Sequence, residues 1–252
     1  MSPGDDGTGL SVLPRQALPR VGSRPASRGA GEAFPPLYRA LRAASAPLLR
    51  SLFDLHVRGL EHLPASGPFI VAANHHNYLD GVVLGVAIPR PVAFLVMPRV
   101  FHASPLHPSF HRRVGSIAIN VERPDPGAIK RALRVLWEGR IVGIFPEGPF
   151  SREGRLVPGQ PGVALIALWS GAPVVPAAIH GTYEALAGRR FYLPRRHPLS
   201  VRFGPTLSFG LPRRQALTRG DRDDATRRIM SEIAALLDEI PAPRAWRGPV
   251  AS

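Results

Sequence analysis

Phe69-Ile70-Val71-Ala72-Ala73-Asn74-His75-His76-Asn77-Tyr78-Leu79-Asp80 is the stretch that decides how this chain folds. An apolar run with no polar alternation, Phe69 to Ala73, reads as a buried strand of an α/β domain. The polar residues after it then stand at its carboxyl end, where open α/β sheets bind ligands. Five residues turn an ideal helix by roughly 140°, so His75 and Asp80 cannot share one face of a regular helix. They meet only if His75 lies in the turn between strand and helix, with Asn74 as the capping residue and Asp80 reaching back from the first helical turns. So placed, Asp80 fixes the imidazole tautomer and stabilises the imidazolium, while His75 takes the proton of an attacking hydroxyl. His76 is the alternative base, one residue out of register with Asp80.

Outward from this strand the same pattern recurs. Short apolar runs at 55–59, 92–96, 116–121, 141–145, 174–179 and 199–203 are six further candidate strands, with helices in the gaps. The clearest helix spans 126–138: Asp125 caps it, Pro126 suits its first turn, Ile129, Ala132, Leu133 and Leu136 form one stripe, and Gly139 stops it. A second spans 222–240, with Ile229, Ile233, Leu236, Leu237 and Ile240 on one face and acidic residues in its first turn. Segment 37–53 lines up Leu37, Leu41, Ala44, Leu48 and Leu52, and Pro47 is expected to kink or divide it. Two roles fit that stripe, packing on the core or lying in a lipid interface. Residues 1–33 have the composition of a disordered tail, 34–54 form the amphipathic segment, 55–240 the domain, and 241–252 a flexible tail.

Composition narrows the function classes. A 252-residue chain that is 44% hydrophobic is long enough for one sizeable core. No run reaches the roughly 18 to 20 apolar residues of a membrane span, and the amino terminus lacks a secretory layout, so a cytoplasmic site is expected. The charge of +14 draws phosphate-rich partners such as anionic lipid headgroups, nucleic acid or coenzyme A. No nucleic-acid-binding motif accompanies that charge. The absence of cysteine excludes disulfides, thiolate zinc sites and a Cys-acyl intermediate. His102, His107 and His111 lie in a Pro-broken segment without clustered carboxylates, so no metal site is expected.

Further blocks carry a resemblance. Gly143-Ile144-Phe145-Pro146-Glu147-Gly148, then Ser151-Arg152-Glu153-Gly154-Arg155-Leu156, and Pro173-Val174-Val175-Pro176-Ala177-Ala178-Ile179 follow the His75/Asp80 block in order. With it they resemble the glycerolipid acyltransferases, which include the lysophosphatidic acid (1-acylglycerol-3-phosphate) acyltransferases, over roughly residues 36–210. The resemblance implies a mixed central sheet flanked by helices, with a helical element docking on an anionic membrane surface. It implies transfer of a fatty acyl group from acyl-CoA or acyl carrier protein to a lysophospholipid hydroxyl, with no cofactor, His75 as general base and Asp80 orienting it. Glu147 and Gly148 would position the acceptor, Val174 to Pro176 would wall the acyl chain, and the enzyme would sit on the inner face of the membrane.

The resemblance loosens at the acceptor. The family's second block has Arg six positions after its Gly, whereas here Val121 stands six after Gly115 and Arg123 comes two later. Pro149 and Phe150 stand where the family often has Thr and Arg. Arg is suited to phosphate because its planar fork donates two parallel hydrogen bonds. Gly115, Arg123 and Arg152 are therefore the candidate acceptor contacts, with Arg155 in support. Lysophosphatidic acid is the leading acceptor, with another lysolipid or lipid alcohol, or a non-catalytic lipid-binding relative, as the alternatives. Arg189, Arg190, Arg195 and Arg196, interleaved with Phe191, Tyr192 and Leu193, either contact phosphates or form a solvated loop.

Overall fold

The computed structural model describes residues 34–120, 123, 125–151, 153–186, 195–210 and 217–240. Within them, strands β1 (His56–Arg58), β2 (Ile70–Ala73), β3 (Val92–Val96), β4 (Ile117–Ala118), β5 (Ile141–Ile144), β6 (Val174–His180) and β7 (Ser200–Phe203) form one sheet. Their order is β1-β7-β6-β2-β5-β3-β4. Neighbours are parallel except β6 and β7, which run antiparallel, so the sheet is mixed. Each expected run carries one strand. The run at 116–121 keeps only Ile117–Ala118 as strand, and Val121 lies outside the described residues.

Helices cover both faces: α1 (Pro36–Phe53), α2 (Leu79–Ala87), α3 (Pro98–Phe101), α4 (His107–Val114), α5 (Pro126–Trp137), α6 (Gly162–Ser170), α7 (Thr182–Ala185) and α8 (Arg219–Asp238). The central strand β2 is buried along its whole length. Phe69, Val71 and Ala73 pack with Leu49 and Phe53 of α1 and with Val83 and Leu84 of α2. Ile70 and Ala72 face the other way, toward Leu133 and Leu136 of α5, Ile166 of α6 and Ile229 and Ile233 of α8. Two helical layers around one sheet explain why the run has no polar alternation.

The helix ends follow local chemistry. Asp125 accepts from the Ala128 amide at 2.8 Å and caps α5 as expected. Helix α8 begins at Arg219, earlier than the expected 222, because Thr218 and Asp221 form a capping box: Asp221 N donates to Thr218 Oγ1 at 3.1 Å and Thr218 N to Asp221 Oδ2 at 2.8 Å.

Helix α1 runs through Pro47 undivided. Its buried residues are Tyr38, Leu49 and Phe53, one position round from the expected stripe, while Leu41 and Leu48 are 39% and 50% exposed. The helix carries two adjacent apolar stripes; α2 and the sheet take one and leave the middle of the other, Leu41, Ala44 and Leu48, exposed. Among the described residues, no helix is long and apolar enough to cross a membrane. The tails, 1–33 and 241–252, lie outside the described residues, as do Arg189 to Leu193.

Candidate active site

At the end of β2 the chain stays tied to the sheet by a side chain. Asn74 Oδ1 accepts from Ile179 N at 2.7 Å and its Nδ2 donates to Ile179 O at 2.8 Å, reproducing one more rung toward β6. Asn74 is therefore not the cap of α2, which starts only at Leu79. Asn77 serves that end instead, accepting from Leu79 N at 2.9 Å while its Nδ2 donates to Thr182 O at 2.6 Å. The bonds to the sheet and to α7 hold residues 74–77 in a fixed turn.

Asp80 fills the inside of this turn and is wholly buried. Its Oδ2 accepts from His75 Nδ1 at 2.9 Å and from the amides of His76 and Asn77 at 2.6 and 2.8 Å. Burial pushes the Asp80 carboxyl up, but the hydrogen bond and charge of His75 and the Asn77 amide outweigh it and hold the group below its ordinary range. With Nδ1–H given to Asp80, the His75 ring presents Nε2 as its free basic nitrogen. The ring that meets Asp80 is thus that of His75. His76 is turned toward α7, with Nδ1 3.4 Å from Thr182 Oγ1 and its ring edge-on to Tyr183, and burial lowers its pKa.

The turn after β5 grips His75 from the other side. Glu147, 3% exposed, accepts from His75 N at 2.6 Å through Oε1 and from Val157 N at 2.9 Å through Oε2. Ser151 N donates to the His75 carbonyl at 2.8 Å. Both backbone groups of His75 are therefore held by one loop. Burial drives the Glu147 carboxyl up to about 7, with the two amides offsetting only part of the desolvation and the charge of Asp80 adding to the rise. Gly148 makes the turn at φ 76°, and a side chain on it would collide with Gln160 at 2.7 Å. Phe145 stacks on the His75 imidazole at 3.8 Å, and Phe150 meets it edge-on at 4.4 Å.

His75 opens on an apolar channel of about 360 Å³ running between α2 and β3 beneath α1 and α4. Gly81 and Gly85 of α2, Phe94 and Val96 of β3, and Phe145 line it, and the exposed Leu41, Tyr78, Val82 and Phe110 also face it. An elongated hydrocarbon fits such a lining, and a basic nitrogen at one end can deprotonate a hydroxyl beside it.

The expected site residues divide accordingly. His75, Asp80, Glu147 and Gly148 come together. Both carboxylate oxygens of Glu147 are occupied by backbone amides, a geometry that holds His75 rather than one turned outward to an acceptor. Gly115 ends α4 at φ 82° and is absent from the channel wall. Arg123 is exposed, its amide donating to Asn120 Oδ1 at 3.3 Å, and it too stands apart from the channel wall. Arg152 lies outside the described residues. Val174 and Val175 are sealed in the two cores, and the channel runs on the far side of β5 from them, so they do not wall it. The sequence reading missed Asn77, Phe145 and the Gly81/Gly85 pair, and marked Phe150 only as a departure at the acceptor; of those missed, the glycines alone left a sequence signal, their spacing of one helical turn.

Known proteins resemble this chain in sequence and fold. The acyltransferase family model (description "Acyltransferase") matches residues 54–180. A 1-acyl-sn-glycerol-3-phosphate acyltransferase of Bacillus subtilis (strain 168) is 33% identical over 146 residues, 58% of this chain and 72% of that protein. A chloroplastic protein of the same name from Brassica napus is 32% identical over 135 residues, 52% of this chain but 38% of that protein. The crystal structure of the 1-acyl-sn-glycerophosphate (LPA) acyltransferase from Thermotoga maritima superposes with a TM-score of 0.65 at 19% identity, covering 82% of this chain and 81% of that one, which establishes a common fold.

Proposed function

Because the chain belongs to the acyltransferase family, we propose that it transfers a fatty acyl group from a thioester to the free hydroxyl of a lysophospholipid, with lysophosphatidic acid as the leading acceptor. The observation that carries this reading is the buried His75–Asp80 pair, 2.9 Å apart, at the head of an apolar channel.

In the proposed reaction the acyl chain lies in the channel with its thioester carbonyl beside His75. Nε2 takes the proton of the acceptor hydroxyl as its oxygen attacks the carbonyl carbon. Asp80 stabilises the imidazolium that forms and keeps Nδ1 as the donor. Collapse of the tetrahedral intermediate breaks the carbon–sulfur bond, and the imidazolium returns its proton to the departing thiolate. An ester and a free thiol result. Glu147 acts by fixing the His75 backbone. The exposed stripe of α1, with Ala44 and Leu48, lies in the membrane interface on the cytoplasmic leaflet.

The test is a product assay by mass on purified protein, with acyl-CoA and acyl carrier protein as alternative donors and lysolipids with and without a headgroup phosphate as acceptors. Transfer is expected with wild type and lost with His75→Ala, which keeps its fold and vesicle binding. Near-normal turnover by a folded His75→Ala would refute the mechanism. Equal transfer to phosphate-free acceptors would move the acceptor from lysophosphatidic acid to a broader class of lipid alcohols.

A further inference from the structure

The far end of the channel is closed by a residue outside the family-matched segment. Gly81 and Gly85 are one turn apart on α2 and both face the channel. A side chain at Gly81 would enter open space, with no atom within 4 Å of its first carbon. At Gly85 that carbon would stand 3.1 Å from the hydroxyl of Tyr38. The missing side chains leave room that continues down α2 until it meets this phenol.

Tyr38 is buried and held in place. Its hydroxyl accepts from Val92 N at 3.4 Å, and its ring packs against Phe34 at 5.3 Å. One turn further along α1, Arg42 donates to Val86 O at 3.1 Å and ties the helix to the end of α2. The floor is formed by Phe94, whose ring occupies the space over Gly143, where a side-chain carbon would lie 2.4 Å from it. Phe94 stands parallel to Phe145, which stacks on His75, so floor and imidazole belong to one row of rings. Val92 pairs with Ile141, four residues before Phe145. At about 3.3 Å per residue the channel therefore extends roughly 13 Å back from the level of Phe145 before Tyr38 closes it.

We propose that Tyr38 is the specificity-determining end wall of this channel and sets the longest acyl chain the enzyme transfers efficiently. The proposal rests on the acyl-transfer reading above. It also locates chain-length selection on α1, whose residues 36–53 precede the family match at 54–180. Proteins alike throughout the matched segment can thus differ in acyl preference through one residue before it.

The experiment measures kcat/KM for a series of saturated acyl-CoAs of increasing length with one lysolipid acceptor. Wild type is expected to gain about fourfold per methylene while the channel fills, then to fall abruptly. Tyr38→Ala moves that fall to longer chains, and Tyr38→Leu, which keeps an apolar side chain in the helix contact, moves it the same way. Tyr38→Phe keeps the ring and leaves the cut-off where it was. Gly81→Leu fills the channel nearer His75 and moves the fall to shorter chains. A folded Tyr38→Leu or Tyr38→Ala with the wild-type cut-off overturns the assignment. Failure of wild type to transfer any chain overturns the acyl-transfer reading itself, a result distinguishable from an unmoved cut-off.

Discussion

Glu147→Gln separates two roles for a carboxylate that the sequence alone assigns to the acceptor. In the fold its oxygens accept from His75 N at 2.6 Å and Val157 N at 2.9 Å. An amide has a single oxygen, so the variant side chain satisfies one of these backbone N–H groups and turns a donor of its own toward the other. A hydrogen bond to a charged group contributes about 1.5–3 kcal/mol. If the loss falls on the placement of His75, kcat drops roughly 10- to 150-fold, with the KM for the acceptor nearly unchanged. Steady-state transfer measured at several acceptor concentrations reads both parameters. Normal kcat with a raised acceptor KM would refute the clamp and restore direct acceptor contact. Stability gives a second readout. The folded carboxyl is raised from 4.5 to about 7, so the folded state binds a proton more readily than the unfolded chain. Its contribution is fully present below the unfolded value and is lost as pH rises through about 7. Thermal unfolding of wild type should show that loss and Glu147→Gln should lack it; identical pH dependence in both would contradict a buried carboxyl here.

Two further substitutions probe the base and the surface. Asp80→Asn leaves one oxygen for the His76 and Asn77 amides but removes the charge beside His75; kcat should fall roughly 10- to 1000-fold in the same transfer assay with donor KM little changed. Because Asp80 is held below the usual carboxylate range, its contribution to stability is present above about pH 4 and is lost as pH falls further, so acid unfolding of the variant should lack that component. Ala44→Glu with Leu48→Glu places charges on the exposed part of the α1 stripe away from the channel, and co-sedimentation with anionic vesicles should weaken about tenfold while thiol release from a soluble acceptor analogue persists; unchanged sedimentation would place the membrane contact elsewhere.

The parts legible in the sequence are those set by local or periodic physics. An apolar run without alternation marked β2, and Asp125 followed by Pro126 marked the start of α5, because burial on two faces and capping each leave their own pattern. The His75–Asp80 pair was legible because the strand ended just before it. The role of the α1 stripe stays open in the sequence, between core and lipid interface, because two apolar stripes lie one residue apart and only the neighbouring α2 and sheet decide which is covered. The hydrogen-bond partners of Glu147 are not legible for a similar reason. Its bond to His75 spans 72 residues, and nothing in the turn Pro146-Glu147-Gly148 says which way the carboxylate points. Asn74 has the composition of a cap, yet the sheet offers it Ile179 across the end of β2, and two hydrogen bonds to a buried backbone outweigh one to an open helix end.

Phe150 shows how one departure from the family pattern changes the balance between base and acceptor. The position often carries Arg in the family, and here it holds a ring 4.4 Å from the His75 imidazole and 4.7 Å from Tyr78. The same residue separates the channel from a second groove lined by Ser151, Glu153 and Arg155. A guanidinium at this place would be partly stripped of water against the two rings and would need an anion in contact to offset that cost. A phenyl ring carries no such requirement, and by excluding water it strengthens the attraction between His75 and Asp80. On the proposed acyl-transfer reading this trade would favour the base and leave recognition of an acceptor headgroup to the groove, where Arg155 is exposed and paired with Glu153. Exposed pairs of that kind are weak, so a phosphate entering the groove has little to displace and correspondingly little to gain. The comparison of acceptors with and without phosphate therefore bears on Phe150 as much as on Arg155: the narrower the discrimination, the more completely this ring has exchanged headgroup selectivity for a dry imidazole.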